Sequence, residues 1–220
     1  MEINKLHLVD WRGSDNRRND RFFAPREGLL KVRRYVHRAL WGETRKEVPI
    51  ADSVVYISRN DSTHGRMVLN EPELITELQV VTRELGLNFV MFTGNGTRAE
   101  DAIKTFDRAA LILGPHGAGL TNAMFSRPGA ILVELTAPWA PAMYYGHLAA
   151  ALGHIYRYQR VDLDDRGDPG ITGFHSNFTV NAKETAKILR VELALQAKDK
   201  TALRPVQTND GDRRYTAATM

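Results

Sequence analysis

Between residues 54 and 158 short apolar runs rich in valine, isoleucine and leucine recur, and each of the first four is followed by a stretch with helical periodicity. Runs of four to eight apolar residues suit strands covered on both faces, and their alternation with helices implies βαβ units around a mostly parallel sheet. The predicted strands are 54–58, 89–92, 111–113, 131–135 and 155–158. The fold class is therefore α/β. Helical stretches are expected at 100–108 and 144–152. Another begins at a capping box of Asn70 and Glu73, tolerates Pro72 in its first turn, buries Leu74, Leu78, Val81 and Leu85, and stops at Gly86. A second capping box, Asn181 with Glu184, opens a helix to about residue 198 with Ile188, Leu189, Val191 and Leu195 as its apolar side.

Outside this repeat the pattern weakens. Residues 11–27 are turn-forming and basic; then Leu29, Val32, Val36 and Leu40 share one helical face, and 42–52 is a polar connector. The expected organisation is a lead-in with an amphipathic helix over 1–50, an α/β domain over 51–198 with an acidic surface loop at 162–173, and a disordered tail over 199–220.

Composition removes several classes of function. None of the 220 residues is cysteine, so disulfide scaffolds, cysteine metal ligands and cysteine nucleophiles are excluded, while cytosol and lumen both stay open. Lys and Arg number 30 against 26 Asp and Glu; the resulting +4 is too diffuse to point to nucleic acid and reads as a solvated surface with local basic patches. Nothing resembling a secretory signal opens the sequence, and no apolar run approaches the roughly 20 residues of a membrane span, so a soluble chain is expected.

The segment most informative about chemistry is LILGPHGAGLTNAMF, residues 111–125. A buried strand runs into Gly114, Gly117 and Gly119 and then into an apolar helical start at Leu120. Glycines at such a turn let backbone approach a ligand, and a following helix N-terminus offers N–H groups and a positive dipole end, which together cradle phosphate. Tight turns also need glycine for purely structural reasons. His116 inside the turn can donate to an oxyanion or sugar hydroxyl, or pin the loop backbone. Glu134 ends the next predicted strand, where a carboxylate is placed to accept from ligand hydroxyls or to pair with an arginine. After the first strand, Arg59 and Arg66 bracket a polar loop, and guanidinium groups grip phosphates bidentately, although paired loop arginines also serve solubility.

These residues, in the blocks YISRNDSTHGRMVLNEPELITEL (56–78), AEDAIKTFDRAALILGPHGAGLTNAMFSRPGAILVEL (99–135) and YYGHLAAALGHIYRY (144–158), resemble the family 61 glycosyltransferases. The resemblance covers roughly residues 50–196. It implies a Rossmann-like three-layer domain, the C-terminal half of a GT-B enzyme, that binds a nucleotide sugar, in particular a UDP-sugar, and transfers the sugar with inversion to a hydroxyl of a protein or polysaccharide. By position, Arg59 and Arg66 are the diphosphate arginines, and the turn through His116, Gly117, Ala118, Gly119, Leu120 and Asn122 holds the phosphates. Glu134 binds hydroxyls, and His116 and Glu134 are the catalytic candidates.

Members of that family normally carry a substantial N-terminal domain, and about fifty residues are too few for a second Rossmann layer. A non-catalytic nucleotide-sugar-binding module is accordingly the alternative; a dinucleotide-dependent oxidoreductase is disfavoured, because its glycine fingerprint belongs early in the fold. No Asp-x-Asp pair stands out and Asp164-Asp165 lies in the late acidic loop, so donor binding without metal or other cofactor is expected, divalent ions being possible but not indicated. Location follows the resemblance: Golgi or ER lumen in a eukaryote, cytoplasm in a bacterium. Asn60, Asn95 and Asn177 match the N-glycosylation pattern, which short sequences meet often by chance, and Trp139, Tyr144 and Tyr145 are core aromatics by default and stacking platforms by exception.

Overall fold

A computed structural model describes residues 25–42, 51–136, 144–163 and 175–199. The predicted lead-in before residue 25, most of the connector, the acidic loop from residue 164 with Asp164 and Asp165, Trp139 and the predicted tail from residue 200 lie outside the described residues.

Helix α1 (Arg26–Trp41) precedes a repeat of β1 (Ser53–Ile57), α2 (Glu71–Glu84), β2 (Asn88–Phe92), α3 (Ala99–Asp107) and β3 (Ala109–Pro115). A 3₁₀ helix (Ala118–Phe125), β4 (Ile131–Thr136), α4 (Tyr144–Leu152) and β5 (Ile155–Arg160) follow. Two short strands, β6 (Asp162–Leu163) and β7 (Phe178–Thr179), pair antiparallel before α5 (Ala182–Asp199). All five predicted strands form, in one sheet of order β2-β1-β3-β4-β5 in which every neighbouring pair is parallel. This is a doubly wound order whose reversal falls between β1 and β3.

Strand alternation separates two cores. Val54 and Tyr56 of β1 face one side with Leu74 and Leu78 of α2 and Leu189 and Leu193 of α5. Val55 and Ile57 face the other with Phe106 of α3, Leu120 of the 3₁₀ helix and Ala149 of α4. Strands buried on both faces explain why their sequences are apolar runs rather than alternating ones.

Several expectations need correction. The segment after the glycine turn is a 3₁₀ helix, not an α-helix, and Leu120 N–H closes its first turn on Gly117 O at 3.0 Å. Asn70 does not cap α2 with its side chain. Its amide instead pairs with the backbone of Val180, donating to the carbonyl at 2.8 Å and accepting from the N–H at 3.0 Å. The second predicted cap does form: Glu184 N–H donates to Asn181 Oδ1 at 3.0 Å. Gly86, at φ 65°, ends α2 as predicted, in a Schellman turn with Leu87 N–H on Thr82 O and Gly86 N–H on Arg83 O. The buried face of α5 is Ala182, Thr185, Ala186, Leu189 and Leu193, while the predicted Val191 and Leu195 are exposed. On α1, Leu29, Val36 and Leu40 are half-buried but Val32 is exposed.

Candidate functional site at the strand switch

The loop after β1 and the glycine turn after β3 stand side by side because their strands are neighbours at the point where the sheet order reverses. In open α/β sheets ligands bind outside the carboxyl ends of strands at this point.

Three glycines of the turn are needed for space. Gly114 and Gly119 lie against Ile57, where a Cβ would come within 2.8 and 2.9 Å of its side chain. Gly117 is extended, so no backbone strain selects glycine; a Cβ there would sit 2.5 Å from Arg59 Nη1. The Arg59 guanidinium thus occupies the space that a side chain at residue 117 would need. It is fixed further by Nη2 donating to Ser62 Oγ at 2.7 Å and Nε donating to Gly65 O at 3.3 Å.

Arg59 and Arg66 are both partly buried, and burial lowers the pKa of each. The Arg59 charge lowers that of Arg66 further. Two desolvated cations that repel each other are an arrangement an anion relieves. Arg66 also adopts φ 62°, among the described residues the one non-glycine in the left-handed region.

Beside the arginines, His116 Nδ1 donates to Glu134 Oε1, and the Tyr156 hydroxyl donates to Glu134 Oε2 at 2.5 Å. Glu134 has no exposed surface. Both of its oxygens serve internal partners, so the carboxylate reaches the site through His116. Its charge helps, after burial, to raise the Tyr156 pKa. The Tyr145 hydroxyl donates to Gly117 O at 2.6 Å, and its ring packs edge-on against His116 at a centroid distance of 5.3 Å. Burial raises the Tyr145 pKa first of all, with Glu134 adding and Arg66 and Arg59 opposing.

The predicted residues divide between two sides of this turn. Arg59, Ala118, Gly119 and Asn122 line an open cleft of about 520 Å³ with Ser58 and Thr97 on the α3 side of the sheet. Asn122 is held in its wall by donating Nδ2–H to Gly119 O at 3.0 Å. Arg66 and His116 line a cavity of about 10 Å³ on the other side, together with Thr136 and Ser176. The Leu120 side chain lies in the core, so its part in any ligand contact is confined to backbone. Among the described residues no group of three or more histidine, aspartate or glutamate side chains stands together as a metal site.

Residues 14–133 match the glycosyltransferase 61 family. The chain belongs to that family. The matched span takes in Arg59, Arg66 and the whole glycine turn, and stops one residue short of Glu134. The chain is 26% identical over 117 residues to a xylan glycosyltransferase of Arabidopsis thaliana, covering 47% of this chain and 23% of that protein. It is 30% identical over 94 residues to the protein O-linked-mannose β-1,4-N-acetylglucosaminyltransferase 2 of Takifugu rubripes, covering 43% and 15%. The mouse protein of the same name is 32% identical over 80 residues, covering 36% and 13%. The chain therefore spans less than a quarter of the length of each of these relatives.

Three neighbours of this turn take parts that the sequence does not mark. Tyr156 reads only as strand, and Tyr145 as core or as a stacking platform, because an alternating position in β5 or a helical aromatic carries no mark of the partner it will meet. Residues 175–178 bond to the Arg66 loop, a contact that no local pattern announces. Asn60 and Asn177, flagged as glycosylation patterns, spend their amides on Glu71 and on Met67 N–H.

Proposed function

We propose that this chain is the donor-binding domain, in the manner of a GT-B C-terminal half, of a glycosyltransferase that moves a sugar from a UDP-sugar to a hydroxyl of a protein or polysaccharide with inversion. The observation that carries the reading is the pair of half-buried arginines, Arg59 and Arg66, set beside the glycine turn at the strand switch. Membership of family 61 supports the sugar-transfer part, and the relatives' names supply xylan and O-mannosyl protein as the two acceptor classes to test.

In this reading the diphosphate spans the backbone of the glycine turn, from Arg59, Ala118 and Gly119 in the wall of the 520 Å³ cleft to Arg66 and His116 on the turn's other side. Asn122 and Ser58 address it from the cleft wall. The acceptor hydroxyl attacks the anomeric carbon as the bond to the β-phosphate oxygen breaks; the electron pair leaves with the diphosphate and the hydroxyl proton is released to solvent. Charge grows on that oxygen in the transition state, where preorganised cations and donors contribute most. His116, oriented through Nδ1 by Glu134, presents its other ring edge to this charge. Glu134 and Tyr156 are positioning residues in this mechanism, since neither oxygen of Glu134 is left for a sugar hydroxyl.

Isothermal titration with UDP and UDP-sugars, paired with a donor-hydrolysis assay, tests the reading. Arg66→Ala and His116→Ala are each expected to weaken UDP binding about tenfold, the scale of one lost charge-assisted hydrogen bond. Lys187→Ala, on the exposed side of α5, is expected to bind normally. Equal affinities across the set would remove the site assignment, and binding without any donor turnover would give the non-catalytic module instead.

A further inference from the structure

Arg66 is held by chain that lies 110 residues away. Its own N–H donates to His175 O at 3.1 Å. The next residue, Met67, donates N–H to Asn177 Oδ1 at 3.0 Å and accepts at its carbonyl from Phe178 N–H at 3.0 Å. Leu69 N–H then donates to Phe178 O at 2.8 Å. Val68 and Phe178 form a parallel bridge, and Phe178 pairs on its other side with Leu163.

This ladder encloses the strained residue. A left-handed conformation at a non-glycine is disfavoured and persists where surrounding bonds over-determine it. Gly65, also left-handed at φ 65°, spends its carbonyl on Arg59 Nε. The loop is thus tied on one side to the first arginine and on the other to residues 175–178. Asn177 adds a side-chain contact to this backbone ladder, its Oδ1 accepting from Met67 N–H. The backbone bonds would survive most substitutions, but removal of Oδ1 leaves Met67 N–H without that acceptor.

We propose that residues 175–178 form a positioning strap for Arg66, with Asn177 the side chain that sets it. The strap fixes the left-handed turn at Arg66 and so the direction in which the guanidinium enters the site beside Arg59 and His116. This rests on the donor-binding reading, because the strap matters to function only if Arg66 meets the diphosphate. Asn177 is a positioning residue and touches no ligand itself. The cavity beneath, lined by Arg66, His116, Thr136 and Ser176, is of a size for one water molecule at most and adds no ligand site.

The test is a double-mutant cycle on UDP affinity in the 220-residue chain, read by isothermal titration beside a thermal melt of each variant. Asn177→Ala is expected to weaken UDP about fivefold while remaining folded at the titration temperature. In the Arg66→Ala background the same substitution is expected to change affinity no further, because the residue it positions is already gone. Asn177→Ser, whose shorter hydroxyl keeps an acceptor near Met67 N–H, is expected to fall between native and Asn177→Ala, and it carries the test if Asn177→Ala fails to fold. Native affinity in folded Asn177→Ala or Asn177→Ser, or losses that multiply in the double variant, would overturn the strap. An Arg66→Ala variant that binds UDP like the native chain would instead overturn the donor-site reading on which the strap depends.

Discussion

Two glycines three residues apart in one turn are expected to fail in different ways. At Gly114 an added Cβ meets Ile57 Cβ at 2.8 Å and Ile57 O at 3.3 Å, between two paired core strands that have little room to move. Gly114→Ala is expected to cost about 2 kcal/mol, seen as a lowered midpoint in denaturant. At Gly117 the Cβ meets the far end of the Arg59 side chain, which can swing away. Gly117→Ala is expected to leave the denaturation midpoint nearly unchanged and to weaken UDP about tenfold by displacing a guanidinium. Equal effects of the two on stability would contradict this division. In the sequence the glycine cluster marks a close approach of backbone around His116, whereas Arg59 and Arg66 stand out only as loop arginines after the first strand and through the family resemblance. The internal commitment of Glu134 is hidden, since its partners lie 18 and 22 residues away in sequence, His116 just past β3 and Tyr156 on β5.

The elements themselves were largely legible. The central strands β1, β3 and β4, buried along their whole length, leave clean apolar runs, the partly exposed edge strands β2 and β5 weaker ones, and the Schellman turn at Gly86 and the Asn181 cap each leave a local mark. The face of α5 was not. Its buried line begins with Ala182, Thr185 and Ala186, small side chains against the sheet's edge of the core, which weigh little in an apolar pattern beside Val191 and Leu195. The observed face predicts that Leu189→Ala costs about 3 kcal/mol in chemical denaturation and Leu195→Ala less than about 0.5 kcal/mol. The reverse order would restore the face read from sequence. The 3₁₀ form of residues 118–125 was likewise unreadable, because its pull comes from Gly117 O, which accepts from both Leu120 N–H and the Tyr145 hydroxyl. Asn70 shows the same competition: a good cap locally, it is drawn to Val180, 110 residues away.

For the whole molecule, pH offers a separate check. His154 is buried where β5 begins, and its Nε2 donates to Ala123 O at 2.9 Å, joining the 3₁₀ helix to the end of α4. Burial, partly opposed by that hydrogen bond, lowers its pKa from 6.5 to about 4. Above pH 6.5 the histidine is neutral in both folded and unfolded chains and costs nothing. As pH falls from there towards 4 the unfolded chain takes up a proton that the folded chain refuses, so stability declines by about 3 kcal/mol across that window. His154→Gln, which keeps an amide donor for Ala123 O, is expected to flatten the fall of thermal midpoint between pH 7 and 4.5; an unchanged pH slope would show that His154 does not carry it. At the sheet reversal two strand ends gather Arg59, Arg66 and the glycine turn. The decisive measurement is a crystal structure of the chain with UDP. The diphosphate is expected between the two guanidinium groups and against the backbone of residues 117–119; a nucleotide bound elsewhere, with both arginines untouched, would overturn the donor site.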